Sequence, residues 1–219
     1  MKILITGSSS GIGLSTSKYF LSKGYDVIGI DERPSQINNP HYEHFICDIS
    51  KDELPEIEGI NYLFNNAGKQ NSNDDIQNNL VGSIRVSKKY GYQKSMKSIL
   101  FNASASARTG FEFDYYVASK AGIVGYMKHL ASLLAKNGVT VNSISLGGVL
   151  TSSNKVVMED KSSWEKIMKV TPLKKWASLD EINEWVYFLL VKNKSMSGQD
   201  ILIDNGEANL NNSFVWPEK

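Results

Sequence analysis

One cysteine, Cys47, is the chain's only thiol, so no internal disulfide can staple it and no oxidising compartment is called for. An excess of charge is missing too. The chain has 24 Lys and Arg against 23 Asp and Glu, a formal net charge of +1, with no lysine-rich block. That balance gives no footprint for nucleic acid or a membrane surface, and a small molecule is the expected partner. There is no long apolar span and no charged-then-apolar leader before the first strand pattern, so no membrane association and a cytoplasmic location are expected. His41 and His44 flank Tyr42 at no ligand-like spacing, and no metal site is read. At 219 residues the chain is long enough for one well-buried core, and a single domain over 1–219 is expected.

What is present begins at the first residues. Lys2–Thr6 is a short apolar run suited to a buried parallel strand. Gly7, Gly11 and Gly13 punctuate the turn after it, and Ile12, Ser15, Thr16, Tyr19 and Phe20 then recur at helical spacing as far as Gly24. A second apolar strand closes on Asp31. Strand, turn, helix and strand make one βαβ unit. Glycines let the backbone approach a pyrophosphate, the helix N-terminus offers free N–H groups, and a terminal carboxylate suits a ribose diol. A glycine-rich turn alone is also an ordinary tight connection; the full unit favours a dinucleotide site.

Residues 32–43 carry two prolines and no helical period, so this crossover reads as loop. His44–Cys47 reads as a third strand, with Cys47 as a small buried hydrophobe. Asp48 can cap a short helix that follows or meet an adenine amino group. Residues 49–61 are barely long enough for a parallel crossover. Tyr62-Leu63-Phe64-Asn65-Asn66-Ala67-Gly68 is an apolar strand ending in small and amide residues, where an asparagine can tie neighbouring strand ends together. After the polar loop Lys69–Gln77, a helix is expected over 76–92. Asn79 within it is either exposed or has a local bonding task. Ser98–Asn102 is a fifth strand, followed by the small run Ala103–Ala107. Tyr116 and Lys120 lie one turn apart on a helix that runs to Gly138.

In order and approximate spacing, Thr6-Gly7-Ser8-Ser9-Ser10-Gly11-Ile12-Gly13, Asn65-Asn66-Ala67-Gly68, Asn79, Ser104 and Tyr116-x-x-x-Lys120 resemble the short-chain dehydrogenase/reductase family. Val141–Gly147, Thr171-Pro172-Leu173, Asp180-Glu181, Ser197–Asp200 and Asp204-Asn205-Gly206 extend the resemblance over nearly the whole chain. It implies a doubly wound α/β fold with helices on both faces of seven parallel strands in the order 3-2-1-4-5-6-7. It also implies NAD as the cofactor, ahead of NADP. Cofactor contacts are implied at Gly7, Ser9, Ser10, Gly11, Ile12, Gly13, Asp31, Asp48, Ile49, Asn65, Asn66, Ala67, Gly68, Tyr116, Lys120, Gly147, Val149 and Thr151. The implied catalytic set is Asn79, Ser104, Tyr116 and Lys120, interconverting a secondary alcohol and a ketone.

These residue types suit that chemistry. A free tyrosine with a pKa near ~10 is a poor base at neutral pH, and a neighbouring ammonium favours its phenolate. Two departures stand out: Leu146 replaces the proline usual before Gly147, which predicts a looser turn, and the short segments around Asn65–Gly68 predict stub helices. Phe111, Phe113, Tyr115 and the substrate-loop residues Val156, Val157, Met158, Trp164 and Met168 within about 151–177 predict an apolar substrate wall, or packing anchors. Asp31 and Glu32 favour NAD, with Arg33 opposing them. The helices over 76–92 and 116–136 resemble those that pair with a second copy, so a homodimer or homotetramer is expected. Rival readings are a non-catalytic NAD-binding regulator and an epimerase or dehydratase that retains its cofactor.

Overall fold

Side chains alternate across a strand, and here the alternation sorts the core into two layers. A computed structural model describes residues 1–210; the remainder of the domain expected over 1–219 lies outside the described residues. The strands are β1 (Lys2–Thr6), β2 (Asp26–Asp31), β3 (Tyr42–Ile46), β4 (Ile60–Asn65), β5 (Ser98–Asn102), β6 (Thr140–Leu146) and β7 (Asp200–Ile203). They form one seven-stranded sheet in the order β3-β2-β1-β4-β5-β6-β7, and every pairing is parallel.

Leu4, Ile28, Ile30, Leu63, Ile99 and Phe101 point to one face, where they meet α2 (Gly82–Tyr90) and α4 (Asp114–Leu134) through Val86, Tyr90, Ile123, Met127 and Leu130. Ile3, Ile5, Val27, Tyr62, Phe64 and Leu100 point to the other. There they meet α1 (Gly11–Ser22) and α7 (Leu179–Tyr187) through Phe20, Ile182 and Val186. Between β5 and α4 lies the single turn α3 (Ser106–Thr109), and α5 (Lys155–Glu159) and α6 (Lys161–Val170) follow β6 in the chain.

Helix limits follow local chemistry. Ser178 and Glu181 form a capping box at the start of α7. Asp160 caps α6, its carboxylate accepting from the Ser163 amide at 3.2 Å. After α4 and a 3₁₀ turn, Gly138 adopts the left-handed conformation with φ 71°.

Three expectations need correcting. The third strand runs over Tyr42–Ile46, not His44–Cys47. The segment expected as one helix over 76–92 begins with a π-wound turn, Ile76–Val81, before α2. Of the stub helices expected around Asn65–Gly68, the one before it is absent altogether, residues 47–59 holding no helix, while the segment after it holds the π-wound turn and the nine-residue α2. A helix satisfies its own carbonyls, and the loop 49–57 cannot, so α2 and the residues just after it supply the donors. Arg85 donates to Ile49 O at 2.6 Å and to Asp52 O at 2.6 Å, Lys89 to Leu54 O at 2.6 Å, Tyr90 to Pro55 O at 2.7 Å and Gln93 to Ile57 O at 2.7 Å.

Candidate active site

The chain leaves β1 toward β2 and β3 on one side and returns at β4 on the other, so the strand order reverses between β1 and β4. Open α/β sheets bind ligands outside the strand carboxyl ends at such a point. A cleft of about 670 Å³ lies there, walled by the turn after β1, the ends of β2 and β3, Asn66–Gly68 after β4, the start of α4, and Thr151.

The β1–α1 turn is packed so closely that it admits no side chain at two places. Gly7 has φ 69°, and a β-carbon on it would stand 2.8 Å from Ala67 Cα. On Gly13 a β-carbon would stand 2.0 Å from Gly7 O. Ser10, the residue before α1, is extended and its side chain caps nothing, and the first helical turn holds no acid. The terminal N–H groups and the positive end of the helix dipole are therefore unspent, as an anion site requires. Asn66 ties the strand ends together: its Nδ2 donates to Thr6 O at 3.0 Å, and its Oδ1 accepts from Asn102 Nδ2 at 3.0 Å.

Asp31 is buried at the end of β2. Its carboxylate accepts from the Ser9 amide at 3.0 Å and the Arg33 amide at 2.9 Å, and the Arg33 guanidinium reaches on to Ser10 Oγ at 2.7 Å. Asp48 also lines the cleft. Burial pushes its carboxyl up, but hydrogen bonds from Ser50 and Lys51 outweigh burial and hold it at about 2. It thus closes a local turn while facing the cleft.

Tyr116 and Lys120 line the same cleft, with the Ser104 hydroxyl beside the phenol. Lys120 Nζ lies 5.5 Å from the Tyr116 ring centroid and donates to Asn102 O at 2.8 Å. Burial lowers the lysine to about 8, against the raising fields of Asp75 and Glu112. Burial likewise pushes the Tyr116 phenol up to about 12, while the Ser104 hydroxyl beside it draws it down. Asn79 is fully buried behind them. Its Oδ1 accepts from the Lys69 amide at 2.7 Å, and its Nδ2 donates to Lys69 O at 2.9 Å and Ser119 Oγ at 3.0 Å. Those bonds are the local task that its mid-helix position implied.

Residues 7–207 match the family pattern described as enoyl-(acyl carrier protein) reductase. The chain belongs to the short-chain dehydrogenase/reductase family. A 2-dehydro-3-deoxy-D-gluconate 5-dehydrogenase of Bacillus subtilis is 26% identical over 93% of this chain and 92% of its own length. The (+)-borneol dehydrogenase 1 of Salvia officinalis is 30% identical over 95% and 94%. A solved structure of 4-hydroxyisoleucine dehydrogenase complexed with NADH superposes with a TM-score of 0.86 at 26% identity, covering 96% of this chain and 99% of that one.

Within this short-chain dehydrogenase/reductase, Gly7, Ser10, Gly11, Ile12, Asp31, Asp48, Ile49, Asn66, Ala67, Gly68, Tyr116, Lys120 and Thr151 all line the cleft. Other expected cofactor residues stand off the wall. Asn65 turns to the opposite side of β4, where its Nδ2 donates to Ser87 Oγ at 3.1 Å. Ser9 acts through its amide on Asp31, and Gly13 lies beneath the turn. Gly147 packs on Asp204, and Val149 is buried, paired with Ala177. Leu146 does not loosen its turn: the Gly147 amide donates to Ile203 O at 3.0 Å, and Gly148 lies flat against Trp176. Sequence reasoning missed Asn102, Lys69, Gln70 and Asn154 on the wall. Of these only Asn102, at a strand's carboxyl end, carried a positional signal.

The expected apolar wall is open. Phe111 is 76% exposed and Val156 82% exposed, whereas Trp164 is half-buried with its ring centroid 5.1 Å from that of Trp176. Glu112 stands among the aromatics with φ 109°, accepting from Gln70 Nε2 at 3.2 Å.

Proposed function

We propose that this chain is an NAD(H)-dependent oxidoreductase interconverting a secondary alcohol and a ketone, with Tyr116 as its proton donor and acceptor. One observation carries the reading: Tyr116 and Lys120, with the Ser104 hydroxyl beside the phenol, line the same cleft as an uncapped helix terminus. The uncapped terminus, the close turn at Gly7 and Gly13, and Asp31 at the end of β2 fit a dinucleotide. When bound, a nicotinamide supplies or accepts the hydride.

The chain's own residues handle the proton. Ser104 and Tyr116 hold the substrate oxygen between two hydroxyls. In ketone reduction Tyr116 gives its proton to that oxygen, and the Lys120 ammonium stabilises the phenolate left behind. With the phenol at about 12, this donor is loaded at neutral pH. Alcohol oxidation requires the phenolate and therefore rises with pH.

We read the single domain as extending over 1–219, with about 151–177 as the substrate loop. Its half-buried Val157, Met158, Trp164 and Met168 favour an apolar hydroxy or keto substrate. We also read a homodimer or homotetramer built on the helices that include α2 and α4, since Leu133 on α4 is 43% exposed. Light scattering at micromolar concentration tests it, and a monomer would count against it. Turnover of a panel of secondary alcohols and ketones, followed by NADH absorbance, tests the activity. Absence of turnover across sterols, sugars, 3-hydroxyacyl compounds and simple ketones would overturn it.

A further inference from the structure

Two opposite charges are buried in this site without an ion-pair partner within 4.0 Å among the described residues. Lys120 is 3% exposed and spends one hydrogen bond, on Asn102 O, although an ammonium carries three donors. Asp75 is 0% exposed. Its Oδ1 accepts from the Ser72 amide at 3.2 Å and the Ser72 hydroxyl at 2.7 Å, while its Oδ2 is buried with no hydrogen-bond partner. A buried charge is tolerated when a counter-charge lies near it.

The backbone brings the two toward one place. Asp75 opens the π-wound turn Ile76–Val81, and Asn79 lies about one turn further on. Asn79 Oδ1 and Lys120 Nζ both crowd Gly68, at 3.1 and 3.5 Å from where a β-carbon on that glycine would stand. Ser72, which holds the other oxygen of Asp75, lines the cleft.

We propose that Asp75 is the internal counter-charge of Lys120, a positioning residue that keeps the lysine an ammonium in its buried setting. The consequence for catalysis rests on the reading of Tyr116 and Lys120 as the acid–base pair: without Asp75, burial neutralises the lysine and the Tyr116 phenolate loses its cation. The charged and titratable groups acting on Lys120 are Asp75 and Glu112, with Tyr116 alongside. Glu112 is the weaker counter-charge. It sits on the rim, where much of its surface is exposed, and the partial loss of water on its inner side pushes its own carboxyl toward the neutral form.

The test is an NMR titration of the Lys120 ε-carbon in the full chain labelled with ¹³C-lysine, the signal being assigned through Lys120→Met. The wild-type midpoint is expected near 8. Asp75→Asn is expected to lower it by about one pH unit or more, and Glu112→Gln by less. An unchanged midpoint in Asp75→Asn, or a larger drop in Glu112→Gln, overturns the proposal. Should Asp75→Asn fail to fold, Lys120→Met supplies the second arm. It leaves Asp75 without its counter-charge, so adding Asp75→Asn to it raises the urea midpoint if the two charges are a pair; a lower midpoint overturns the pairing. Neither measurement needs turnover, so a chain without dehydrogenase activity would refute the proposed function and leave this pair standing.

Discussion

Ser104 and Ser106 both follow β5, and the path of the chain between them decides which can act on a substrate. Were the chain extended, both hydroxyls would point the same way, about 6.6 Å apart. Instead it turns into α3 at Ser106, whose amide donates to Ser104 Oγ at 3.2 Å. Ser104 thereby stays beside the Tyr116 phenol, while Ser106 Oγ is left buried without a partner in a side chain 2% exposed. Removing one donor to a reacting oxygen costs about 10²–10³ in kcat, or roughly 2.7–4 kcal/mol. Ser104→Ala is expected to fall in that range. It also removes the bond that draws the phenol down, so the pH at which oxidation begins should move up. Ser106→Ala deletes an unsatisfied buried hydroxyl, a change near neutral for stability, and activity should stay within a few-fold of wild type. Single-turnover hydride transfer on both variants, with NADH affinity measured by fluorescence as the control, decides it. A larger loss in Ser106→Ala, or a Ser104→Ala loss traceable entirely to NADH affinity, would refute the reasoning.

NADH is expected to bind more tightly than NADPH, and Asp31→Ala should narrow or reverse the preference by freeing the Arg33 guanidinium; tighter NADPH binding to the wild type in calorimetry would contradict the role of Asp31. Gly13→Ala puts a β-carbon 2.0 Å from Gly7 O, so a substitution that favours a helix elsewhere should here cost at least ~1–3 kcal/mol in urea unfolding and abolish NADH binding. Lys120, lowered to about 8 by burial, binds fewer protons folded than unfolded above that pH. Its contribution to stability should therefore rise from about pH 8 toward 10, by at most about 1.4 kcal/mol per pH unit, a slope that Lys120→Met should remove in denaturation series across that range.

The readable parts of the sequence are those where a residue type serves one purpose. Lys2–Thr6, the glycine turn, the terminal Asp31 and the Tyr116/Lys120 pair all stand where pattern placed them, because strand, turn and helix periods were unambiguous. Two neighbouring asparagines were not. Adjacent strand residues face opposite ways, so of Asn65 and Asn66 only the latter could reach the cleft, and nothing local says which. The loop 49–57 was expected to hold a stub helix because its alternative depends on Arg85, Lys89, Tyr90 and Gln93, donors distant in sequence. The buried Asp75 was hidden for a related reason: it ends a polar stretch that composition marks as solvated loop, and only the packing of the π-wound turn removes it from water.

The central claim, that Tyr116 transfers the proton in an NAD-dependent alcohol–ketone reaction, is tested most directly by Tyr116→Phe. On any substrate the wild type turns over, that variant should bind NADH within a few-fold of wild type and lose hydride transfer by about 10²–10⁴, the range of positioned acid–base catalysis. Hydride transfer by Tyr116→Phe at or near the wild-type rate would contradict the account.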